Sequence, residues 1–506
     1  MRQRLINKTQ PQESLESTET LESLSFDSEL TASRMAMSDE LIPNVLPVKP
    51  MSLHSLLFDS NISKEAWAEG LKYHIKKLTN LLLNDQTQSF DQYLSSEFGA
   101  DIPEISEERK KRFAEIDYRP VLQDLLQTAI LIEHSTIPPY LTALYSIKDG
   151  TNALASQIIR SVAVEEMLHL IMVCNVLNAI NIQPSVNKPQ NYPTYPMKLP
   201  MNVDFFVGLE TFSPNSIATF IAIESPSSPL VKAPKYIPAA LPKTSLTQRG
   251  AFVQENNFWT LENMKGFIME NVHTIGEYYD VLFFYITFFQ IIAYYQKNGS
   301  LPHSFKDLDQ GGIFTGSASK QIRPEQYYGS GGKLHAVEGL AGVIAVFQEI
   351  KGQGEGADDS IFDVDPSQFE EGVELAHYFR FKEVFHEHFY VGGDYRPFTD
   401  ENGMMPVSTP PNGKALPVDW SAAYPMKANP KVSDYTHKEL YEQGIEFNKT
   451  YRRLLDAIQD AVEGKQSELE KSIMYMYALK EQAVALMKQP LDAQNNAGPT
   501  FEYISL

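Results

Sequence analysis

Apolar residues along the chain recur mostly at intervals of three and four, the repeat of a helix that buries one face. Residues 118–147 form the first long stretch of this kind, and residues 153–180 form the second. Only residues 148–152 (KDGTN) separate the two stretches, and this short polar segment is typical of a turn. Because two long helices joined by so short a turn run antiparallel, the pattern predicts a helical hairpin.

Further stretches with the helical repeat follow, separated by long segments that lack it. Helices are predicted at residues 64–82, 107–113, 264–296, 335–350, 366–390, 436–463 and 467–488, of which the last two form a C-terminal helical hairpin. The Pro-, Gly- and Ser-rich segments 183–262, 298–333 and 393–434 are predicted to be irregular, apart from a strand-like stretch at 220–223. The predicted fold class is all-α, a helical bundle with long irregular Pro-rich insertions.

The composition divides the chain into parts. Residues 1–50 are rich in Ser, Thr and Glu and poor in aromatic residues, which predicts a disordered acidic tail. Residues 51–115 are predicted to form an N-terminal helical extension, and 491–506 a C-terminal tail. Residues 116–490 are predicted to form one domain that contains the bundle and its insertions.

The charge of the chain excludes some classes of partner. Its 506 residues include 43 Lys and Arg against 64 Asp and Glu, which gives a net charge of −21 at pH 7. Such a surface repels the phosphates of nucleic acids and the head groups of anionic lipids. Neither nucleic acid nor a membrane is therefore an expected partner.

The cysteine content and the N-terminus predict a cytoplasmic protein. A single cysteine, Cys174, allows neither an internal disulfide nor a thiolate metal cluster, and the N-terminus lacks the apolar core of a secretory signal. The apolar run 281–295 is shorter than the roughly 20 residues that a membrane span needs, so it is predicted to be a buried core helix. The aromatic residues at 278–289 are expected in that core, with the wall of a substrate pocket as the alternative.

Two acidic residues interrupt the apolar stripes of the first hairpin. Glu133 and Glu166 each lie about 16 residues from the centre of the turn, which is roughly 25 Å at the rise of an α-helix. The two carboxylates are thus expected at the same depth on facing helices. Because burying unpaired carboxylates is costly, a positive group is expected between them. A buried salt bridge or a protonated pair would meet this need, as would a metal ion.

His169 favours the metal ion. Glu166 and His169 are three residues apart, so they project from one side of the helix, and no Lys or Arg lies within 167–173 to pair with them. Glu-x-x-His from each of two helices, with one Glu from each of two others, forms the carboxylate-bridged di-iron or di-manganese site. Carboxylate oxygens and imidazole suit iron, manganese or zinc, whereas copper(I) and iron–sulfur clusters need thiolates.

The Glu-x-x-His spacing recurs elsewhere. Four pairs have it, where about one is expected by chance: Glu166/His169, Glu270/His273, Glu374/His377 and Glu383/His386. Glu374 and His377 follow the apolar face of their predicted helix, so they are preferred to the last pair. On the third helix Glu277 is the preferred ligand, with His273 as a competing ligand or a capping residue.

Pro138 and Pro139 interrupt the first helix just beyond Glu133. Their missing N–H groups free carbonyls near His134 and Ser135, which predicts a bend. A plain bend is one interpretation. The other is a local opening beside the metals through which a substrate or dioxygen enters.

Several segments, in this order, resemble one protein family. They are IEHSTIPPYLTALYSI (132–147), IRSVAVEEMLHLIMVCNVLNAI (159–180), FIAIESP (220–226), HTIGEYY (273–279), GQGEG (352–356), ELAHYFRFKEV (374–384) and WSAAYPMKANPK (420–431). Together they resemble the ferritin-like domain of the iminophenyl-pyruvate dimer synthase family, which is found in violacein- and indolocarbazole-type biosynthesis. The resemblance covers roughly residues 115–490.

This resemblance implies a ferritin-like helical bundle with a non-haem metal site. Carried over position by position, the implied ligands are Glu133, Glu166, His169, Glu277, Glu355 and His377. Glu374 joins this set because of its spacing to His377. The larger members of the family couple two imines of aromatic α-keto acids oxidatively, and this chain resembles their ferritin-like part with its own N-terminal extension.

The expected function is therefore that of a non-haem di-metal oxidoreductase or oxygenase of specialised metabolism. Two irons are the expected cofactor, with manganese as the alternative. The expected partners are an amino acid-derived or aromatic small molecule and either dioxygen or peroxide, and a homo-oligomer is compatible with the sequence. An iron-binding or ferroxidase protein without an organic substrate is one alternative function, and a catalytically inactive ferritin-like scaffold is the other.

Overall fold

The described part of the chain is almost entirely helical. The computed structural model describes residues 51–58, 62–83, 87–98, 107, 111, 115–226, 261–327, 331–356, 374–391 and 410–506. Its helices are α1 (Leu53–Phe58), α2 (Lys64–Leu83), α3 (Thr87–Phe98), α4 (Arg119–Ser146), α5 (Ala153–Ala179), α6 (Pro214–Ile223), α7 (Leu261–Asn271), α8 (Ile275–Asn298), α9 (Phe305–Asp309), α10 (Leu340–Glu355), α11 (His377–His386), α12 (Lys438–Val462) and α13 (Leu469–Met487). These residues otherwise form 3-10 turns, loops and isolated β-bridges without a strand. The prediction of an all-α bundle is confirmed.

Helices α4 and α5 form the predicted hairpin at the centre of the core. Gly150 and Asn152 adopt positive φ angles of 81° and 45° in the turn, which lets the chain reverse within a few residues. Helices α8 and α13 pack against α4, while α10, α11 and α12 pack against α5. Because neighbours cover both helices on several sides, polar residues in the middle of the hairpin lie far from water. Helices α12 and α13 pack together as the predicted C-terminal hairpin.

Helix α4 continues through Pro138 and Pro139. Pro139 has no N–H group for the carbonyl of Ser135, and the hydroxyl of Tyr195 donates to this carbonyl instead, at 2.9 Å. The hydroxyl of Thr142 donates to the carbonyl of Pro138 at 2.7 Å. The carbonyl freed at Ser135 is therefore covered by protein, which favours a sealed helix over an opening at this point.

The single helix predicted at 264–296 is wrong in one respect, because the chain divides it into α7 and α8. Thr274 caps the second helix by accepting a hydrogen bond from the N–H of Glu277 at 3.1 Å. The carboxylate of Glu277 accepts one from the N–H of His273 at 2.7 Å. The expectation of an aromatic core is confirmed, since every aromatic side chain in 278–289 is at most 2% exposed.

Two other segments differ from their predicted secondary structure or position. The strand predicted at 220–223 is wrong, since these residues end α6, which begins at a capping box on Ser213. The sequence of α6, PNSIATFIAI, is short, contains no charged residue and ends in the apolar run FIAI, so its helical periodicity is weak. The helix predicted at 335–350 is observed as α10, which begins and ends five residues later. It therefore includes most of the GQGEG segment.

The helix predicted at 366–390 is shorter than expected. Helix α11 begins only at His377, and residues 366–373 lie outside the described part of the chain. Glu374 precedes the helix, so its spacing to His377 no longer places the two side chains on one helical face. The helix predicted at 107–113 lies largely outside the described residues.

Helices α5 and α8 are long and apolar enough to cross a membrane, judged by length and composition alone. In the structure, 89% and 83% of their most apolar windows are buried inside the protein. This burial is what the core helices of a bundle show. The prediction that 281–295 is a buried core helix is confirmed.

A buried histidine in α2 predicts a loss of stability in acid. Burial lowers the pKa of His74 to about 4, and the ring lies 2.8 Å from both the Tyr93 hydroxyl and the Met51 carbonyl. The unfolded chain takes up a proton near pH 6.5 that the folded protein takes up only near pH 4, so stability falls between these values. We expect His74 to account for about 3 kcal/mol of this fall. Urea midpoints measured from pH 7 to pH 4 should fall less steeply for His74→Gln; identical slopes would contradict this assignment.

Candidate metal centre

Five buried side chains from four segments meet in the middle of the bundle. Helix α4 contributes Glu133, α5 contributes Glu166 and His169, the end of α6 contributes Glu224, and His377 is the first residue of α11. All five are at most 6% exposed. They form two groups, Glu133–Glu166–His169 and Glu166–Glu224–His377, each with its ligand atoms within 4.8 Å of one another. Glu166 belongs to both groups.

The distances place one oxygen of Glu166 between two imidazole nitrogens. Its Oε1 lies 3.6 Å from Nδ1 of His169 and 3.0 Å from Nδ1 of His377. Oε2 of Glu133 lies 3.4 Å from the first nitrogen, and Oε2 of Glu224 lies 3.5 Å from the second. The arrangement thus has two similar halves with a carboxylate in common.

A hydroxyl group holds the second oxygen of each carboxylate. The three donors are Tyr279 to Oε1 of Glu133 at 2.5 Å, Thr136 to Oε2 of Glu166 at 2.8 Å, and Tyr140 to Oε1 of Glu224 at 2.5 Å. These hydrogen bonds fix the carboxylates in orientation and leave the other oxygens facing the histidines.

The far nitrogen of each histidine is also held. Nε2 of His169 lies 2.8 Å from Oε1 of Gln353, and Nε2 of His377 lies 2.7 Å from Oε2 of Glu165. Arg380 donates to the other oxygen of Glu165 at 2.9 Å. Because amide and carboxylate oxygens only accept, Nε2 is the protonated nitrogen in each neutral ring. The lone pair of Nδ1 then faces the carboxylates, as in metal-bound histidines.

The buried histidines and carboxylates of the cluster shift one another's pKa values. Burial lowers the pKa of His169, but Glu133 and Glu166 outweigh it and raise this pKa to about 9. The pKa of His377 is also raised, because three carboxylates outweigh its burial. Burial and the charge of Glu224 raise the pKa of Glu166 to about 7. Imidazolium protons therefore balance the carboxylates, and divalent ions could replace these protons.

The donor set fits a pair of metal ions. Nδ1 of His377 is buried and makes no well-aligned hydrogen bond with any described residue, although two carboxylate oxygens lie nearby. Ligand atoms bound to one ion at about 2.1 Å lie roughly 3 to 4 Å apart, and the observed nitrogen–oxygen distances are within or near this range. Oxygen and imidazole donors suit iron, manganese or zinc.

Three predicted ligands lie outside both groups. Glu374 is 46% exposed and lies 3.4 Å from Arg380, so its placement at the site is wrong. Glu277 is 29% exposed and caps the start of α8, beside His273. Glu355 lines the same small cavity as the metal-binding groups, but its nearest charged partner is Lys351 at 3.5 Å.

Sequence reasoning missed one residue of the two groups and most of the supporting residues. The sequence did contain a signal for Glu224: it is the only charged residue in 213–226, and it lies in FIAIESP, a segment of the family resemblance. Glu165, Gln353 and Arg380 gave no comparable signal, since their role depends on which histidine each one contacts. Tyr279 was predicted correctly as core, but its hydroxyl reaches Glu133.

Two cavities of different size adjoin the site. The inner one, about 20 Å³, is lined by Glu133, Glu166 and His169, and it has room for about one water molecule. The outer one is about 470 Å³, which is within the usual range for small-molecule sites. Lys351 and Glu355 line both cavities and thus form part of the wall between them.

The carboxyl group of Glu355 rests against the start of α8. A Cβ atom at Gly276 would lie 2.3 Å from its Oε1, so the glycine provides the space for this carboxyl group. Burial raises the pKa of Glu355 to about 7, although the charge of Lys351 opposes this. Lys351 also lies 2.5 Å from Asp280. An acidic side chain held by a shared lysine therefore separates the two cavities.

Comparison with protein-family models agrees with the helical-bundle fold. A family model described as ferritin-like matches residues 126–386, which is just over half of the 506 residues. A structure of a ferritin-like protein from Caulobacter vibrioides is similar at 18% sequence identity and a TM-score of 0.42, covering 76% of this chain and 98% of the other. No curated protein matches the chain. On the strength of the family model, the chain belongs to the ferritin-like family.

Proposed function

We propose that the protein is a non-haem di-metal oxidoreductase or oxygenase with two irons as its cofactor. The observation that supports this most directly is the sharing of Glu166 by two buried Glu/His groups. Two irons bound there would supply electron transfer to dioxygen or peroxide and so the oxidation of an organic molecule. Manganese is the alternative metal, because its ligand preferences overlap with those of iron.

The residues around the groups have separate tasks in this proposal. Tyr279, Thr136 and Tyr140 keep the carboxylates in place, so the site needs little rearrangement when the metals bind. Gln353 and Glu165 keep the protons of the two histidines on Nε2. The packing of the bundle excludes bulk water, which prevents loss of oxidising equivalents to solvent.

The two cavities suggest separate routes for the two reactants. The inner cavity has room for a molecule of the size of dioxygen, and of these two cavities the outer one alone has room for an organic molecule. We propose an amino acid-derived or aromatic substrate, in line with the resemblance to the iminophenyl-pyruvate dimer synthase family. The reaction would be an oxidative coupling or an oxygenation of specialised metabolism in the cytoplasm.

Oxygen consumption tests this proposal. The full-length protein is loaded anaerobically with Fe²⁺, mixed with dioxygen, and supplied with aromatic amino acids, their α-keto acids, or these keto acids with ammonia. We expect about two metal ions per chain and oxygen uptake that continues over many turnovers with at least one such compound. Iron loading to hundreds of atoms per assembly would instead indicate storage, and a folded protein that binds no metal would indicate a scaffold.

A substitution can show whether Glu355 is a metal ligand or a residue of the wall between the two cavities. Because Glu355 lies in the wall between the cavities and outside both groups, we expect Glu355→Ala to keep about two metals per chain. The shorter side chain widens the passage, so a chelator should remove the metals several-fold faster than from the unchanged protein. Metal content by mass spectrometry and the chelation rate measure both effects. A loss of one metal per chain would make Glu355 a ligand, as the family resemblance implies.

A further inference from the structure

A third cavity lies against the faces of α4 and α5 that point away from the metal centre. Its volume is about 260 Å³, and α4, α5, α12 and α13 enclose it together with Tyr327. On α4, His134, Ile137 and Leu141 face this cavity, whereas Glu133 lies in the metal centre. The helical repeat separates the two faces. None of the residues of the two metal-binding groups lines the cavity.

The wall of this cavity is mainly apolar and carries no acidic side chain, lysine or arginine. Both ring nitrogens of His134 are paired: Nδ1 lies 2.9 Å from the carbonyl of Asn191, and Nε2 makes a hydrogen bond with the hydroxyl of Tyr451. The hydroxyl of Ser472 donates to a carbonyl of its own helix. These three polar side chains are therefore already paired.

Tyr327 differs from them. Its hydroxyl oxygen is buried and has no hydrogen-bond partner among the described residues. Leaving a buried hydroxyl unpaired is costly, and a ligand with one polar group could pair with it. Tyr477, also in the wall, is 71% exposed, so the cavity meets the surface along α13.

We propose that this cavity binds a small neutral aromatic molecule with a single polar group that pairs with the hydroxyl of Tyr327. An apolar cavity of about 150 Å³ holds one benzene molecule, so a cavity of this size suits two fused rings. The absence of charged side chains from the wall disfavours organic acids and amines. Because the site shares no residue with the metal-binding groups, its occupant binds with or without metal.

Calorimetric titration of the full-length protein with 2-naphthol tests the site. We expect saturable binding of one molecule per chain, retained in Glu166→Gln with its metal centre disabled. Met476, in the wall, offers a variant that fills the cavity, and Met474→Trp is the matched control, since Met474 is 66% exposed and outside the wall. Met476→Trp should weaken binding at least about tenfold, and the control should leave it unchanged.

Two further variants keep the test decisive. Ile473→Phe narrows the same wall and should also weaken binding, which covers the case in which Met476→Trp does not fold. Tyr327→Phe should weaken binding of 2-naphthol about fivefold and leave binding of naphthalene unchanged. Binding that is absent, that survives both wall variants, or that disappears in Glu166→Gln would overturn the proposal.

Discussion

Replacing Glu166 by glutamine is expected to abolish metal binding at both positions. Glu166 is the carboxylate that the two groups share, and its Oε1 faces Nδ1 of both His169 and His377. Glutamine has nearly the same size and can still accept the hydrogen bond of Thr136, so the packing is preserved. It lacks the negative charge that two divalent ions need between them. We expect metal content to fall from about two per chain to nearly none.

The stability of the protein should follow the metal. Binding at a hundred times the dissociation constant stabilises a folded protein by about 2.7 kcal/mol, so the unchanged protein should melt higher with metal than after chelation. Glu166→Gln should melt at the same temperature in both states. Glu374→Gln is the matched control, because Glu374 is 46% exposed and outside both groups, and it should behave like the unchanged protein. A Glu166→Gln protein that still holds two metals would contradict the shared carboxylate.

Replacing Arg380 by methionine is expected to have the largest effect on the stability of the metal-free protein. Arg380 is 2% exposed and donates to Glu165, which is 1% exposed. Although burial raises the pKa of Glu165, Arg380 and His377 outweigh it and lower this pKa to about 2. Without the guanidinium, a carboxylate remains buried with one partner fewer. We expect a loss of about 3 to 5 kcal/mol in the free energy of unfolding.

The pH dependence identifies the cause of this loss. A carboxyl group with a lowered pKa contributes stability above its unfolded value near 4.5, and this contribution disappears as pH falls towards 2. The difference in the free energy of unfolding between the unchanged protein and Arg380→Met should therefore become smaller below pH 4.5. Adding Glu165→Gln should restore part of the lost stability, as a double-mutant cycle in urea measures. Equal destabilisation at all pH values would point to lost packing instead of the ion pair.

The periodic part of the structure was predictable from the sequence. Glu133, Glu166 and His169 lie on one long hairpin, and the rise of a helix fixes their depth without knowledge of the other helices. Their convergence followed from the turn length alone. His377 was identified as well, but as half of a pair with Glu374. That pairing needed a helix that starts earlier than α11 does.

The remaining part of the site depended on tertiary contacts. Glu224 follows the end of a short helix without a charged residue, so periodicity could not orient its side chain. Glu277 satisfied the spacing rule, but the break between α7 and α8 turns it into a capping residue. The family resemblance implied that Glu355 is a ligand. Its position between two cavities follows only from the fold. Local spacing thus specifies which residues share a helix face, whereas the partner of each face depends on how helices pack.

Anomalous scattering at the iron edge, from crystals of protein purified out of iron-replete cells, tests the central claim most directly. We expect two peaks per chain, one between Glu133 and His169 and the other between Glu224 and His377, with the carboxylate of Glu166 contacting both. A well-ordered cluster of these side chains without any peak, or metal bound elsewhere in the chain, would contradict the account.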